Sequence, residues 1–216
     1  MRNVIFWLEG RARQTLLGVF ILAPVALFFG WGFILQLSAD VPPGRGLELI
    51  PLLSYSLLTL ASHSPVQWIE RQSPRRLFYY QLGAFVCRSL FVVLLLAGLG
   101  LAFEFLPAGK IPFGETFGLD DQTIPVSYFI QISIGILIIS YTAEFLSLLS
   151  FTGSVPILAL ALYVGTLYVH PIFDLVFPLS LEAASVGQVV VCLMLAFTVI
   201  AAGVFRDHGY IGWMVR

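Results

Sequence analysis

Charge is what this chain has least of. Of its 216 residues only 11% are Asp, Glu, Lys or Arg, against 59% hydrophobic, and the mean hydropathy is +0.95. Soluble domains carry roughly 25% charged residues, so this complement is too small to coat a water-facing surface. Cysteine is nearly missing too. Cys87 and Cys192 both fall inside apolar runs, where a thiol serves as a small hydrophobe. Two isolated thiols support neither a disulfide framework nor a zinc site. No basic stripe is present, which argues against nucleic-acid binding. The G-x-S-x-G, H-E-x-x-H and P-loop patterns are also missing, so the expectation is a chain that is not an enzyme and holds no cofactor or metal of its own.

What fills the sequence instead is apolar length. Six stretches, 15–37, 49–63, 79–103, 124–149, 155–173 and 184–205, each read as a membrane span. A transmembrane helix needs about 20 apolar residues to cross about 30 Å of hydrocarbon. Six spans and their loops use up residues 1–216, so a single all-α transmembrane domain is expected, with no separate soluble domain. The first run is too long for the apolar core of a signal peptide. It is read as a retained span that also targets the chain to the cell (cytoplasmic or inner) membrane as a multi-pass protein.

The few charges set the orientation. Arg2, Arg11 and Arg13 precede span 1, Arg71, Arg75 and Arg76 follow span 2, and Arg206 and Arg216 follow span 6. These eight of the eleven basic residues alternate correctly to lie on one side. By the positive-inside rule that side is the cytoplasm, which puts both termini inside. His63 and His208 then lie inside and His170 outside, so the three cannot converge on a metal.

Three local features refine this picture. Residues 1–14 form an amphipathic segment in which Val4, Ile5, Trp7 and Leu8 share a face, suited to an interfacial helix; a simple basic anchor is the alternative. Span 2 is short and holds Pro51, Ser54, Ser56 and Thr59. It is expected to break near Ser62-His63-Ser64-Pro65 and continue as a short cytoplasmic helix, because Pro65 removes a backbone donor. Spans 4 and 5 are joined by a tight turn at Phe151-Thr152-Gly153-Ser154, with Pro156 suited to the first turn of the next helix.

Charges inside a span cost roughly 2.5–3.5 kcal/mol at its centre. Arg88 lies about ten residues into span 3, roughly 14 Å of helix, and Glu144 lies in span 4 before its cytoplasmic end. The two spans run in opposite directions, so both residues fall in the cytoplasmic half. Pairing between Arg88 and Glu144 is one reading. The other is that Arg88 snorkels alone and Glu144 reaches the interface. Glu104, His170, Asp174 and Glu182, near outer span ends, read as ordinary interfacial residues that could also line an outer mouth.

The densest polar cluster is Gln67-Trp68-Ile69-Glu70-Arg71-Gln72-Ser73-Pro74-Arg75-Arg76, between spans 2 and 3. Orientation alone needs only its arginines. The added Glu-Arg pair, aromatic anchor and Pro suit docking of another protein.

Taken with the basic amphipathic start and six spans, this loop resembles the permease subunits of ABC-2 type transporters, in their small six-span form. In that family the phrase after span 2 often runs Glu-Arg, a few polar residues, then Pro and a basic residue. Glu70-Arg71-Gln72-Ser73-Pro74-Arg75-Arg76-Leu77 follows that order with a shorter spacing, and Pro171, Pro178 and Phe205-Arg206-Asp207 resemble the family's close. The outer loop Phe105 to Thr123 departs from the pattern by lacking an obvious amphipathic helix. The resemblance is architectural and covers most of the chain. It implies a membrane-spanning permease subunit, paired with a second copy or a similar permease. ATP and Mg would sit on a separate ATP-binding subunit docked at Trp68, Glu70, Arg71, Arg75 and Arg76. It implies export, and the Phe- and Leu-rich spans are compatible with an apolar or amphipathic substrate. A non-catalytic subunit of another membrane complex and a secondary transporter stay open beside it.

Overall fold

Leu, Phe, Ile, Val and Ala dominate the apolar stretches, and backbone groups buried among such side chains are best satisfied by i→i−4 pairing. A computed structural model describes residues 13–35, 44–62, 74–106, 126–150, 155–173 and 186–207. Within them are six α-helices: α1 (Arg13–Gly30), α2 (Gly46–Ser62), α3 (Pro74–Phe105), α4 (Val126–Ser150), α5 (Val155–Phe173) and α6 (Val186–Asp207). Two short strands, β1 (Ile34–Leu35) and β2 (Gly44–Arg45), pair antiparallel between α1 and α2. The fold is all-helical apart from this ribbon. The expected interfacial helix at 1–14, the break after Ser62 and the turn at 151–154 lie mostly or wholly outside the described residues.

The helical part of the first apolar run ends at Gly30, earlier than the 15–37 stretch suggested. The cause is local. Gly30 and Gly32 flank Trp31, and glycine readily leaves helical geometry. The Trp31 N–H still bonds to Leu27 O at 2.9 Å, and the Phe33 N–H to Gly30 O at 3.0 Å, after which the chain enters β1. The turn also serves the next helix. The first N–H groups of a helix have no partner within it. Here the Gly46 N–H donates to Phe33 O at 2.7 Å and the Leu47 N–H to Trp31 O at 3.1 Å. The end of α1 thus caps the start of α2, and the two form one tight hairpin.

α4 is the hub, packing against α2, α3, α5 and α6, while α1 lies mainly on α2. Leu27, Tyr55, Val92, Leu96, Phe129, Ile136, Ala159 and Tyr163 fill the interior. Edge-on aromatic contacts join the upper ends, Trp31 to Phe103 at 5.0 Å between centroids and Phe103 to Phe129 at 5.8 Å.

Large apolar side chains cover the outside of the bundle as well as filling its interior. Its outer faces carry Ile21, Leu22, Val25, Leu94, Leu193, Met194 and Phe197, with Phe197 73% exposed. Its interior holds Glu48, Ser54, Ser56, Thr59, Arg88, Ser133, Ser140, Glu144 and Ser147. Among the residues with described side chains, the only charged ones are Arg45, Glu48, Arg88, Glu104 and Glu144, and Glu48, Arg88 and Glu144 are buried. Leu82–Phe105 in α3 and Ile132–Leu149 in α4 are long and apolar enough to cross a membrane. The apolar stretches described in the other four helices are shorter.

The hairpin gives a first prediction. A Cβ at Gly46 would lie 1.9 Å from Gly30 O, a backbone atom that cannot swing aside. Gly46→Ala is expected to destabilise the purified protein by about 1–3 kcal/mol, the usual range for overpacking. Thermal unfolding in detergent, compared with Gly18→Ala, where a Cβ meets nothing within 4 Å, provides the check.

Candidate functional site

The buried charges gather where α2, α3 and α4 meet. Glu144 on α4 accepts from Arg88 Nη2 of α3 at 2.8 Å through Oε1 and from the Tyr55 hydroxyl of α2 at 2.7 Å through Oε2. Arg88 Cζ lies 5.6 Å from the centroid of the Tyr55 ring, within cation–π range. Each member of the trio therefore touches the other two, and each comes from a different helix.

A second layer supports this cluster. Tyr141, one turn before Glu144, donates its hydroxyl to Ser89 Oγ at 2.8 Å, and Ser89 donates to Phe85 O at 2.9 Å. The Tyr141 ring sits 5.0 Å from Phe85 and 5.9 Å from Tyr55. Thr59 and Ser56 turn their hydroxyls onto their own helix, to Tyr55 O at 2.9 Å and Leu52 O at 2.8 Å. Buried polar groups must be satisfied, and here neighbours and backbone carbonyls meet most of that demand.

A separate cluster ties α2 to α5. The Tyr163 hydroxyl donates to Glu48 Oε2 and accepts from the Arg45 N–H at 3.1 Å. Tyr163 and Glu48 are both buried. One phenol thus holds both strand β2 and the first turn of α2.

Of the residues singled out in the sequence, the structure brings Arg88 and Glu144 into direct contact. Trp68, Glu70 and Arg71 lie outside the described residues, and Arg75 and Arg76 fall in the first turn of α3. Glu104 is exposed near the end of α3, His170 falls within α5, and Asp174 and Glu182 lie outside the described residues. No group of metal-ligating side chains converges among the described residues. The sequence reading missed Tyr55, Tyr141, Tyr163 and Glu48. Their one signal was spacing: Glu48 and Tyr55 stand seven apart on α2, hence on one face, and Tyr141 precedes Glu144 by three on α4.

Both Glu144 oxygens are engaged, and its guanidinium partner has no accessible neutral form. No nucleophile stands beside a base in either cluster. Comparison with protein-family models, with curated proteins and with solved structures gives no match for this chain.

Removing one partner leaves the other charge buried and alone, which in protein interiors costs about 3–5 kcal/mol. Arg88→Ala and Glu144→Ala are each expected to lower unfolding stability by about that amount, whereas Arg88→Met combined with Glu144→Leu recovers most of it. A double-mutant cycle by denaturant unfolding in detergent measures the coupling; additive losses would show that the pair does not act as a unit.

Proposed function

We propose that this chain is a six-span integral membrane protein with both termini in the cytoplasm. In this reading it is the permease subunit of an ATP-driven, ABC-2-like transporter, with ATP hydrolysed by a separate chain. The observation that carries the membrane part is the apolar outer face of the bundle, with most of the described charges held inside. Large apolar side chains face outward, while Arg88, Glu144 and Glu48 are held inside. Outward Leu and Phe suit hydrocarbon. Intramembrane ionisable residues belong on the bundle interior, paired with one another, as Arg88 and Glu144 are. Ser and Thr hydroxyls inside the bundle are satisfied by carbonyls of their own helices, as at Ser54, Ser56 and Thr59, which lets them lie in an apolar setting.

The transport part rests on the sequence resemblance. Glu70-Arg71 followed by Pro74-Arg75-Arg76 is a docking phrase, and the chain carries no nucleotide-binding motif. Pro74 opens α3 and the two arginines occupy its first turn, so the end of the phrase is helical. ATP binding on the partner would bias two states of the permease by its differential affinity for them. Export of an apolar or amphipathic substrate belongs to the same reading.

Affinity purification of the tagged chain in mild detergent tests this. Co-purification of an ATPase is expected, and combined Glu70→Ala and Arg71→Ala should abolish it while leaving the chain in the membrane fraction. If no ATPase accompanies the unaltered chain, the permease reading falls, leaving a non-catalytic subunit of another membrane complex.

A further inference from the structure

Two aromatic pairs bridge α1 and α3. Within α1, the Phe20 ring meets Phe91 edge-on with centroids 4.6 Å apart. Just past the end of α1, Trp31 meets Phe103 in the same way at 5.0 Å. The partners follow the same order on both helices, so α1 and α3 run parallel, and the bridges stand about 17 Å of helix apart. Between them the residues turn small: Pro24 on α1, Gly98 and Ala102 on α3. With bulky rings at both ends and small residues between, a cleft of about 390 Å³ is left. Its floor is Leu27, Leu95 and Leu99, all buried, and its exposed rim is Pro24, Leu94 and Gly98. Every described residue that lines it is apolar.

Shape and chemistry select the occupant. The α3 lining runs from Phe91 to Ala102, about 16 Å at 1.5 Å per residue. Spread over that length, the cleft is a furrow about 5 Å across. A helix with its side chains is about 10–12 Å wide, so neither a second copy nor another protein can lay a helix in it. One polymethylene chain fits, since carbon packs on carbon at about 3.5–4.0 Å. The length agrees as well. Bilayer hydrocarbon is about 30 Å thick, so the acyl chains of one leaflet reach about 15 Å. An unfilled furrow would deprive its walls of dispersion contacts, and packed interiors carry few gaps larger than a water molecule.

We infer that this furrow binds one acyl chain of a bilayer lipid, laid along α3 between the Phe20–Phe91 and Trp31–Phe103 bridges. The inference rests on the membrane part of the proposed reading and makes no use of a partner ATPase. With both termini inside, α3 runs outward, and Phe91 to Ala102 fall mostly in the outer half of its apolar stretch. The lipid therefore belongs to the outer leaflet, with its headgroup end toward Ala102 and its methyl end toward Phe91.

Photolabelling of the full-length chain in phosphatidylcholine nanodiscs tests it. The probe is phosphatidylcholine with a diazirine midway along one acyl chain, and adducts are located by peptide mass spectrometry. Leu27, Leu95 and Leu99, none more than 7% exposed, should be labelled at least as strongly as Leu193 and Phe197 on the outward face of α6, which are 65% and 73% exposed. A Cβ at Gly98 meets nothing within 4 Å, so the ring of Gly98→Phe can enter the furrow; this variant should lose the leucine adducts and keep those on α6. Gly203→Phe, equally open but on α6, should keep the leucine adducts. Adducts on α6 with none on the three leucines, or leucine adducts that survive Gly98→Phe, would overturn the site and leave the membrane reading standing. Adducts on neither would overturn both. Should Gly98→Phe fail to accumulate, depth in the unaltered chain decides. A diazirine near the glycerol end should mark Leu99, and one near the terminal methyl Leu94 and Phe91; the reverse order, or the same residues from both probes, rejects the site.

Discussion

Glu144 is the point to which the rest of the bundle is tied. A carboxylate in an apolar interior is costly unless it is charge-paired or hydrogen-bonded. Meeting that demand takes a guanidinium from α3 and a phenol from α2. The requirement is directional, unlike the contacts of Leu with Leu around it, and so it fixes the register of three helices. Apolar packing alone would let α2, α3 and α4 slide past one another at little cost. In the proposed bilayer setting the point is sharper, because lipid tails compete with every Leu–Leu contact.

Two kinds of polar attachment coexist on α2. One is a charged cluster reinforced by a layer of aromatic rings around Tyr141. The other is a lone phenol shared between a backbone amide and a carboxylate. Between them stands Pro51, in a helix made mainly of Leu, Ser and Thr. The same helix is therefore anchored at two levels by different chemistry, a charged trio at one and a single phenol at the other.

The number and order of the helices were legible in the sequence because hydropathy is additive along the chain: each apolar run produced one helix. That Arg88 and Glu144 stand at a common level was legible for the same reason, once opposite directions were assigned to their helices. Where α1 stops was obscured because Phe33 to Leu37 is as apolar as the helix before it; only Gly30 and Gly32 mark the change. Tyr55, Tyr141 and Tyr163 were hidden by a different ambiguity. A tyrosine counts as apolar by its ring, while its hydroxyl carries the chemistry, and its partner lies on another helix that no local pattern identifies. Glu48 was overlooked because it precedes the apolar core of its span by a single residue.

The contact between Arg45 and Tyr163 joins residues 118 positions apart. Ribosomes add about 5–20 residues per second, so roughly 6–24 s of synthesis separate the two. Throughout that interval the ribbon and its cap can form from neighbouring residues alone, while Glu48 has no phenol to receive it. Birth order thus imposes a sequence of assembly: the hairpin matures first as a free-standing piece, and α5 arrives late to close over a carboxylate already in place.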